Sequence, residues 1–421
     1  MGILHRLGRP WNLASPLPVW LLIALIILAA SATFRLAATP VSPDSPVDFR
    51  PLYLGQLMLL DGQNPYDDAL LKDTWREVVQ REGFETRLLP GYPRTLLLYP
   101  PWALPIFTVF AAAPWMVARA VWWSTLPFML LGIVWLVARG AVTRHMLVPF
   151  VDILLLAIAF KATDWAFYVG QPMFLCLLLG FGSWHLERTN RPILSGIALG
   201  LASFKVTLAA PFVLLMFYRR RWRVLTVAAT TGVILLGMFL MLNPDPSAAL
   251  ASSRHNVSAL RTLVFSPDNE GYPIAFKMVS RTELAALAEA LVSGSSKFAT
   301  LINLAPLLFL LPFWVRPLAQ GRLTTVRAFA FFAVMSLLCS HHLHYDCLVL
   351  LPLYLIATEV DGAERISLLA AGAIFLVPIN GVLTLVDLPS TLNFVLFNIQ
   401  IGLIGLAVVL TWGLRRNGSD R

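Results

Sequence analysis

The sequence predicts an all-α integral membrane protein with about a dozen transmembrane helices. Of its 421 residues, 58% are hydrophobic and only 13% are charged, whereas a soluble domain carries about 25% charged residues. The apolar residues also form long blocks instead of stripes at one-face helical spacing. Because every backbone polar group inside a bilayer must be bonded internally, these blocks are predicted to be helices.

The first apolar block runs from about Leu17 to Ala38. It is close to the roughly 20 residues that cross a bilayer core of about 30 Å. His5, Arg6 and Arg9 precede it, as basic residues precede a cleavable signal peptide. The block is longer than a signal sequence and further blocks follow it, so we interpret it as a retained first helix.

We interpret residues 1–421 as one membrane domain with a module over 17–242, which includes an external loop at 39–95. A second external loop covers 243–298, and the C-terminal helices cover 299–414. The apolar blocks after the first lie at 98–113, 117–138, 147–160, 168–186, 192–218, 224–242, 299–315, 327–340, 347–358, 366–386 and 392–414.

Basic residues cluster at the ends of these blocks, at 219–223, 316–327 and 415–416. This is the pattern of the positive-inside rule, which places the clusters and both termini in the cytoplasm and the two large loops outside. The same pattern accounts for the net charge of +9 without a nucleic-acid partner.

Two further basic turns, at 139–144 and 188–191, fall outside if every block crosses the membrane once. Both move inside if block 98–113 only dips into the membrane and block 192–218 consists of two short helices broken near Lys205. Lys161, Asp164, Gln171 and Lys205 then face the external side. Broken helices that line a polar cavity are a known way to place functional groups at membrane depth, so we prefer this arrangement.

The first external loop contains the main catalytic candidate. Asp48 follows the first helix closely, and a carboxylate within hydrogen-bond reach can take a proton from an attacking hydroxyl; the alternative is a solvated loop aspartate. Asp61-Gly62 and Asn64-Pro65 are typical of turns, so we predict structural roles for them.

Several motifs resemble glycosyltransferase family 87, and their order and spacing are more specific than any one of them. A departure is Pro172 after Gln171, where members often have Gln-Asn. In chain order the motifs are Asp48-Phe49, Gly62-Gln63-Asn64-Pro65-Tyr66-Asp67, Tyr99-Pro100-Pro101, Gly170-Gln171-Pro172, Leu199-Gly200-Leu201 before Lys205, Arg219-Arg220-Arg221-Trp222-Arg223, and the turn 341–346.

The resemblance implies a GT-C fold in the plasma membrane and an active site on the extracytoplasmic face. It implies a polyprenyl-phosphate sugar donor, with mannose as the expected hexose, and a glycolipid or glycan acceptor among membrane lipids. It implies inverting transfer with Asp48 as the general base and a site contribution from His344, with no cofactor and no metal. The chain has no glycine-rich phosphate loop, which agrees with a lipid donor.

Donor contacts are expected from residues that offer positive charge, hydrogen-bond donors or aromatic faces. For Lys205 the alternative is an ion pair with Asp164 or Asp152, and the histidines near 344 could instead cap a helix end or hold a metal. The predicted donor-binding residues are Arg50, Tyr53, Tyr99, Gln171, Lys205 and Tyr345.

Two other classes of protein stay open from the sequence. A transporter or flippase for a lipid-linked substrate would also have many helices, broken spans and intramembrane charges, although the chain shows no internal repeat across its two halves. A non-catalytic membrane scaffold would not need Asp48 or the turn at His344.

Overall fold

The computed structural model describes residues 22–23, 25–30, 33, 47–84, 97–140, 147–265, 299–321, 323–340, 344–360, 362–373, 375 and 402–411. These residues are helical or lie in turns, and no strand occurs among them. This confirms the all-α prediction for the described part of the chain. The predicted first helix and the blocks at 366–386 and 392–414 lie partly outside it.

Sixteen α-helices are numbered here in chain order. The first eight are α1 (Arg50–Leu60), α2 (Asp68–Glu82), α3 (Leu104–Ala111), α4 (Trp115–Ala138), α5 (Leu147–Ala159), α6 (Lys161–Tyr168), α7 (Met173–Arg188) and α8 (Pro192–Ala202). The others are α9 (Val206–Tyr218), α10 (Trp222–Leu242), α11 (Pro246–Phe265), α12 (Ala299–Ala319), α13 (Thr325–Cys339), α14 (Leu353–Glu359), α15 (Gly362–Ala373) and α16 (Gly402–Thr411).

Four described segments are long and apolar enough to cross a membrane: Trp115–Ala138, Pro192–Tyr218, Trp222–Leu242 and Leu301–Ala319. Four apolar helices are shorter: Pro101–Ala111, Leu147–Ala159, Thr325–Cys339 and Gly402–Thr411. A 13-residue helix is only about 20 Å long. The described residues therefore do not confirm a count of about twelve transmembrane helices, although Pro101–Ala111 is as short as a dipping segment requires.

The predicted block 347–358 is not one helix. A 3-10 helix covers His344–Leu350, and α14 follows as a separate seven-residue helix. An apolar run of this length has the same hydropathy in either conformation, so composition cannot distinguish them.

The segment Pro192–Tyr218 doubles back on itself. The Glu187 carboxylate at the end of α7 forms ion pairs with Arg221 and, at 3.2 Å, with Arg219, which follows α9 directly. A straight 27-residue helix from Pro192 would end about 40 Å away, so its two ends could not meet in this way. The chain reverses at the 3-10 turn Ser203–Lys205, which confirms two short helices broken near Lys205.

This hairpin defines two ends of the bundle. The "basic end" comprises the C-terminal ends of α4, α7 and α9 and the N-terminal ends of α8, α10 and α13, which line one cavity. The "site end" comprises the turn Val47–Phe49, the turn at Gly170, the vertex Ser203–Lys205 and the 3-10 helix at Asp346. Helices α4, α7 and α10 run between the two ends.

Two glycines allow α8 to approach α10 closely. A Cβ atom at Gly200 would stand 2.6 Å from the Thr231 Cβ and 2.7 Å from the Ala228 carbonyl oxygen. At Gly196 the corresponding distance to the Val227 Cβ is 2.5 Å. Small residues four positions apart are typical of tight helix contacts in membranes. The hairpin vertex is therefore held at the site end by close backbone packing.

Candidate active site

Asp48 is fixed by the residues on both sides of it. Its backbone N–H donates to the Val169 carbonyl at 3.0 Å. The next residue, Phe49, is fully buried; its ring stacks on Trp122 with a centroid distance of 4.7 Å and lies edge-on to Phe110 at 5.1 Å. Since this ring anchors the start of α1, the half-buried Asp48 carboxylate has a defined position beside the Gly170 turn.

Gln171 supports the Asp48 carboxylate from the facing turn. Gly170 adopts a φ of 64°, a conformation that favours glycine, and its carbonyl accepts a hydrogen bond from the Trp122 indole at 2.8 Å. Gln171 is buried and donates from Nε2 to Asp48 Oδ2. Hydrogen bonding to a carboxylate favours its ionised form, which is the form that accepts a proton.

Tyr99 extends this group toward the second half of the site. Its hydroxyl donates to Gln171 Oε1 at 3.3 Å, and its carbonyl accepts from the Tyr66 hydroxyl at 2.8 Å. Burial raises the pKa of Tyr99 well above its usual value, and the charges of Asp48 and Asp346 raise it further. Tyr99 therefore stays protonated, donates a hydrogen bond to Gln171, and lies within electrostatic reach of both aspartates.

Lys205 and Asp346 form the second half of the site. The Lys205 ammonium at the hairpin vertex donates to Asp346 Oδ1, and the Asp346 side chain is only 2% exposed. An ion pair was one of the two expectations for Lys205, and the pair that the structure shows is with Asp346, which was not among the predicted partners. Asp152 instead accepts a hydrogen bond from the Tyr354 hydroxyl at 2.7 Å. Asp346 ends the predicted turn 341–346 but was not among the predicted site residues, although an acidic residue at the edge of an apolar block is a signal of function.

Backbone hydrogen bonds hold the vertex that carries Lys205. The Trp102 indole donates to the Ser203 carbonyl at 3.2 Å, and the Cys176 thiol donates to the Ala202 carbonyl at 3.3 Å. Lys205 is therefore positioned by α7 and by the segment after Tyr99, the same elements that contact Asp48 through Gln171.

The model of glycosyltransferase family 87 matches residues 97–340, more than half of the chain. The chain belongs to glycosyltransferase family 87. This confirms the resemblance seen in the motifs and identifies a membrane glycosyltransferase. Tyr99, Gln171 and Lys205 lie inside the matched range, whereas Asp48 and Asp346 lie outside it. A search of curated proteins gave no match.

Two predicted donor-binding residues of this glycosyltransferase pack between α1 and its neighbours. The buried Arg50 guanidinium lies 4.9 Å over the Trp75 ring. The Tyr53 hydroxyl donates to the Ala113 carbonyl at 2.9 Å, and burial, with a contribution from Glu82, raises the pKa of Tyr53 to about 12. Tyr53 is 1% exposed, so no ring face is open to a sugar. These contacts give no support to donor binding, which stays a prediction for both residues.

His344 and Tyr345 begin the 3-10 helix that contains Asp346. Their backbone therefore lies in the same element as the Lys205 partner. Their side chains lie outside what the structure describes, so the predicted contribution of His344 to catalysis and of Tyr345 to donor binding stays a prediction.

The turns in the first loop of the glycosyltransferase have the structural roles predicted for them. Gly62 has a φ of 68°, and the Asn64 side chain accepts a hydrogen bond from the Tyr66 N–H at 3.0 Å. Asn256 of α11 donates to the Tyr66 carbonyl at 3.0 Å. The turn thus holds Tyr66, which supports Tyr99, against α11 at the site end.

Proposed function

We propose that this glycosyltransferase moves a hexose, with mannose as the first sugar to test, from a polyprenyl-phosphate donor to a lipid or glycan acceptor. The observation that carries the proposal is the Asp48 carboxylate held by Gln171, with Tyr99 bonded to Gln171 and within electrostatic reach of both Asp48 and Asp346, the partner of Lys205. A base and a cation in one site are what attack by a hydroxyl and departure of a phosphate require.

In the proposed reaction, the Asp48 carboxylate takes the proton of the acceptor hydroxyl. The acceptor oxygen forms a bond to the anomeric carbon while the bond from that carbon to the phosphate oxygen breaks. The electron pair of the broken bond leaves with polyprenyl phosphate. Because the attack comes from the side opposite the leaving group, one displacement inverts the anomeric configuration.

Gln171 and Tyr99 act in this proposal as positioning residues. The Gln171 amide fixes the orientation of the Asp48 carboxylate, and Tyr99 fixes the amide through Gln171 Oε1. Holding a base in one geometry lowers the cost of reaching the transition state. Neither residue needs to exchange a proton during the reaction.

Lys205 is the proposed contact for the leaving phosphate. Its side chain is 15% exposed whereas that of Asp346 is 2% exposed, so the ammonium is the more accessible member of the pair. Lysine has three donors and can keep its carboxylate partner while it binds a phosphate oxygen. Arg50, Tyr53 and Tyr345 are further proposed donor contacts and His344 is a further proposed catalytic residue, all on the resemblance to the family.

The proposed orientation places the basic end at the cytoplasmic face of the plasma membrane and the site end at its outer face. Arg188, Arg219, Arg220, Arg221 and Arg223 meet at the basic end, as the positive-inside rule requires of a cytoplasmic face. A donor that is itself a membrane lipid suits a site near the bilayer surface, and the chain has no glycine-rich phosphate loop for a nucleotide sugar.

The test is a transfer assay with membranes that contain or lack this chain. Radiolabelled polyprenyl-phosphate mannose is supplied as donor, and a nucleotide mannose with synthesis of the lipid donor inhibited is the control. We expect label in a new lipid or glycan product only with the lipid donor, with inverted configuration at the anomeric carbon. Transfer only from the nucleotide sugar contradicts the donor assignment. Movement of the lipid donor across the bilayer without a new bond favours the transporter.

A further inference from the structure

The basic end contains a cavity of about 900 Å³ that the proposed reaction does not use. It is lined by five arginines and one acidic residue, which leaves a net charge of four positive units among the charged lining residues. It lies at the opposite end of the bundle from Asp48. The arginines are Arg188, Arg219, Arg220, Arg221 and Arg223, and the acidic residue is Glu187.

Glu187 organises part of this charge without cancelling it. Its buried carboxylate pairs with Arg219 and Arg221, which fixes these two guanidinium groups on the wall of the cavity. Arg188, Arg220 and Arg223 form no salt bridge with any residue that the structure describes. Three arginines therefore remain available for an anion that enters the cavity.

The backbone adds positive potential at the same place. The N-terminal ends of α8, α10 and α13 reach the cavity through Pro192, through Trp222 and Val224, and through Thr325. Neither α8 nor α10 has a side-chain cap at its N-terminus. Unbonded N–H groups and the helix dipole make such ends favourable for phosphate.

Two tryptophans point to a ligand at a membrane interface. Trp184 lines the cavity, is 7% exposed, and its indole N–H has no hydrogen-bond partner within the described residues. Trp222, at the start of α10, is 55% exposed, as is typical of aromatic side chains at the headgroup level. A cavity with this position and volume is large enough for a lipid headgroup.

We propose that this cavity binds the phosphate of an anionic phospholipid headgroup. Arginine forks match phosphate oxygens in pairs, and basic pockets between helices at the cytoplasmic side bind anionic headgroups. The inference goes beyond glycosyl transfer and does not depend on it, because no lining residue belongs to the candidate active site. A soluble phosphate compound would use the same chemistry, so the experiment separates the two sources.

The experiment uses the full chain in nanodiscs of phosphatidylcholine with and without phosphatidylglycerol, followed by native mass spectrometry of the lipid that stays bound. The test variant is Arg220→Gln with Arg223→Gln, since neither arginine forms a described salt bridge. The matched control is Arg139→Gln. Arg139 is at the same end and exposed, but its guanidinium stacks 4.3 Å over Trp135 and does not line the cavity.

We expect wild type and the control to retain phosphatidylglycerol in preference to phosphatidylcholine. In the test variant, retention of phosphatidylglycerol falls by about tenfold or more, which corresponds to one lost hydrogen bond between charged groups. Equal retention in all three proteins overturns the lipid assignment. If retention is equal but pyrophosphate raises the melting temperature of wild type and not of the test variant, the anion site stands and its ligand is a soluble phosphate.

Discussion

At the scale of single residues, Asp48 and Gln171 act as one unit, because the amide of one determines where the carboxylate of the other stands. Asp48→Asn keeps the size of the side chain and an oxygen that accepts from Gln171, but it cannot take a proton. We expect the transfer rate to fall by about a hundredfold to ten-thousandfold, the typical contribution of a general base. The measurement is transfer from the labelled lipid donor together with the melting temperature.

The matched control is Asp61→Asn, because Asp61 lies in the same loop, is exposed and follows α1 as its C-terminal cap. It should keep both the activity and the melting temperature of wild type. Full activity in Asp48→Asn, with the control unchanged, would remove Asp48 from the proposed mechanism and leave the family membership intact.

The Lys205–Asp346 pair allows a second test, of whether Lys205 serves structure alone. Lys205→Met leaves the buried Asp346 carboxylate without its cation, and breaking a buried pair in this way costs about 3–5 kcal/mol. Adding Asp346→Asn removes the buried negative charge. We expect the double variant to recover most of the melting temperature but not the transfer rate, because the donor phosphate has lost its cation. Recovery of both quantities would show that the pair only holds the vertex in place.

The sequence predicts individual site residues better than it predicts their partners. Asp48, Gln171 and Tyr99 were selected from local motifs, and the structure brings all three together. The partner of Lys205 lies 141 positions away in the chain, and no local pattern encodes which of several acidic residues meets it. Tyr53 was predicted as a donor contact for the same reason as Tyr99, because an aromatic ring can stack on a sugar. In the structure, however, Tyr53 is packed into the core beside Trp115. Tyr53 lies on the buried face of the short helix α1, and residue type alone does not show which face of a helix is buried.

At the scale of elements, the contact between α8 and α10 places the hairpin vertex. Gly200→Ala would put a methyl group 2.7 Å from the Ala228 carbonyl oxygen, which is backbone and cannot rotate away. We expect this substitution to destabilise the protein by about 1–3 kcal/mol, as overpacking does. Because α8 leads directly to the vertex, the transfer rate should fall as well. The measurements are the melting temperature and the transfer rate.

Gly182→Ala on α7 is the matched control, since a Cβ there meets nothing within 4 Å. Alanine is the better helix former by up to about 1 kcal/mol, so this variant should be as stable as wild type or slightly more stable. Equal effects of the two substitutions would show that the close approach of α8 to α10 does not hold the vertex.

Helices with strong apolar patterns were predicted close to their observed positions. Blocks 117–138 and 224–242 correspond to α4 and α10. The break near Lys205 was also predicted, because the positive-inside rule required two basic turns on one side. The division of block 347–358 into a 3-10 helix and α14 could not be predicted in this way. It depends on tertiary contacts such as the Lys205–Asp346 pair, which hydropathy does not contain.

At the scale of the whole molecule, the two ends of the bundle differ in charge, and this difference indicates how the protein is oriented in the membrane. Arginines gather where α7, α9 and α10 meet, whereas the described carboxylates of the site lie at the other end. The family assignment gives the reaction class. The asymmetry of charge supports the proposal that the reaction takes place at the outer face of the membrane. The orientation can be tested without any substrate.

Single-cysteine labelling tests the topology, in a background with Cys176, Cys339 and Cys347 replaced by alanine. Thr189→Cys and Arg223→Cys flank the hairpin at the basic end, and Asp61→Cys lies at the site end; all three positions are exposed. With an impermeant maleimide and intact cells, we expect labelling at position 61 only, and labelling at 189 and 223 after permeabilisation.

Labelling of 189 and 223 from opposite sides would mean that Pro192–Tyr218 crosses the membrane. Labelling of both from outside would place Asp48 in the cytoplasm, where a donor used on the outer face could not reach it.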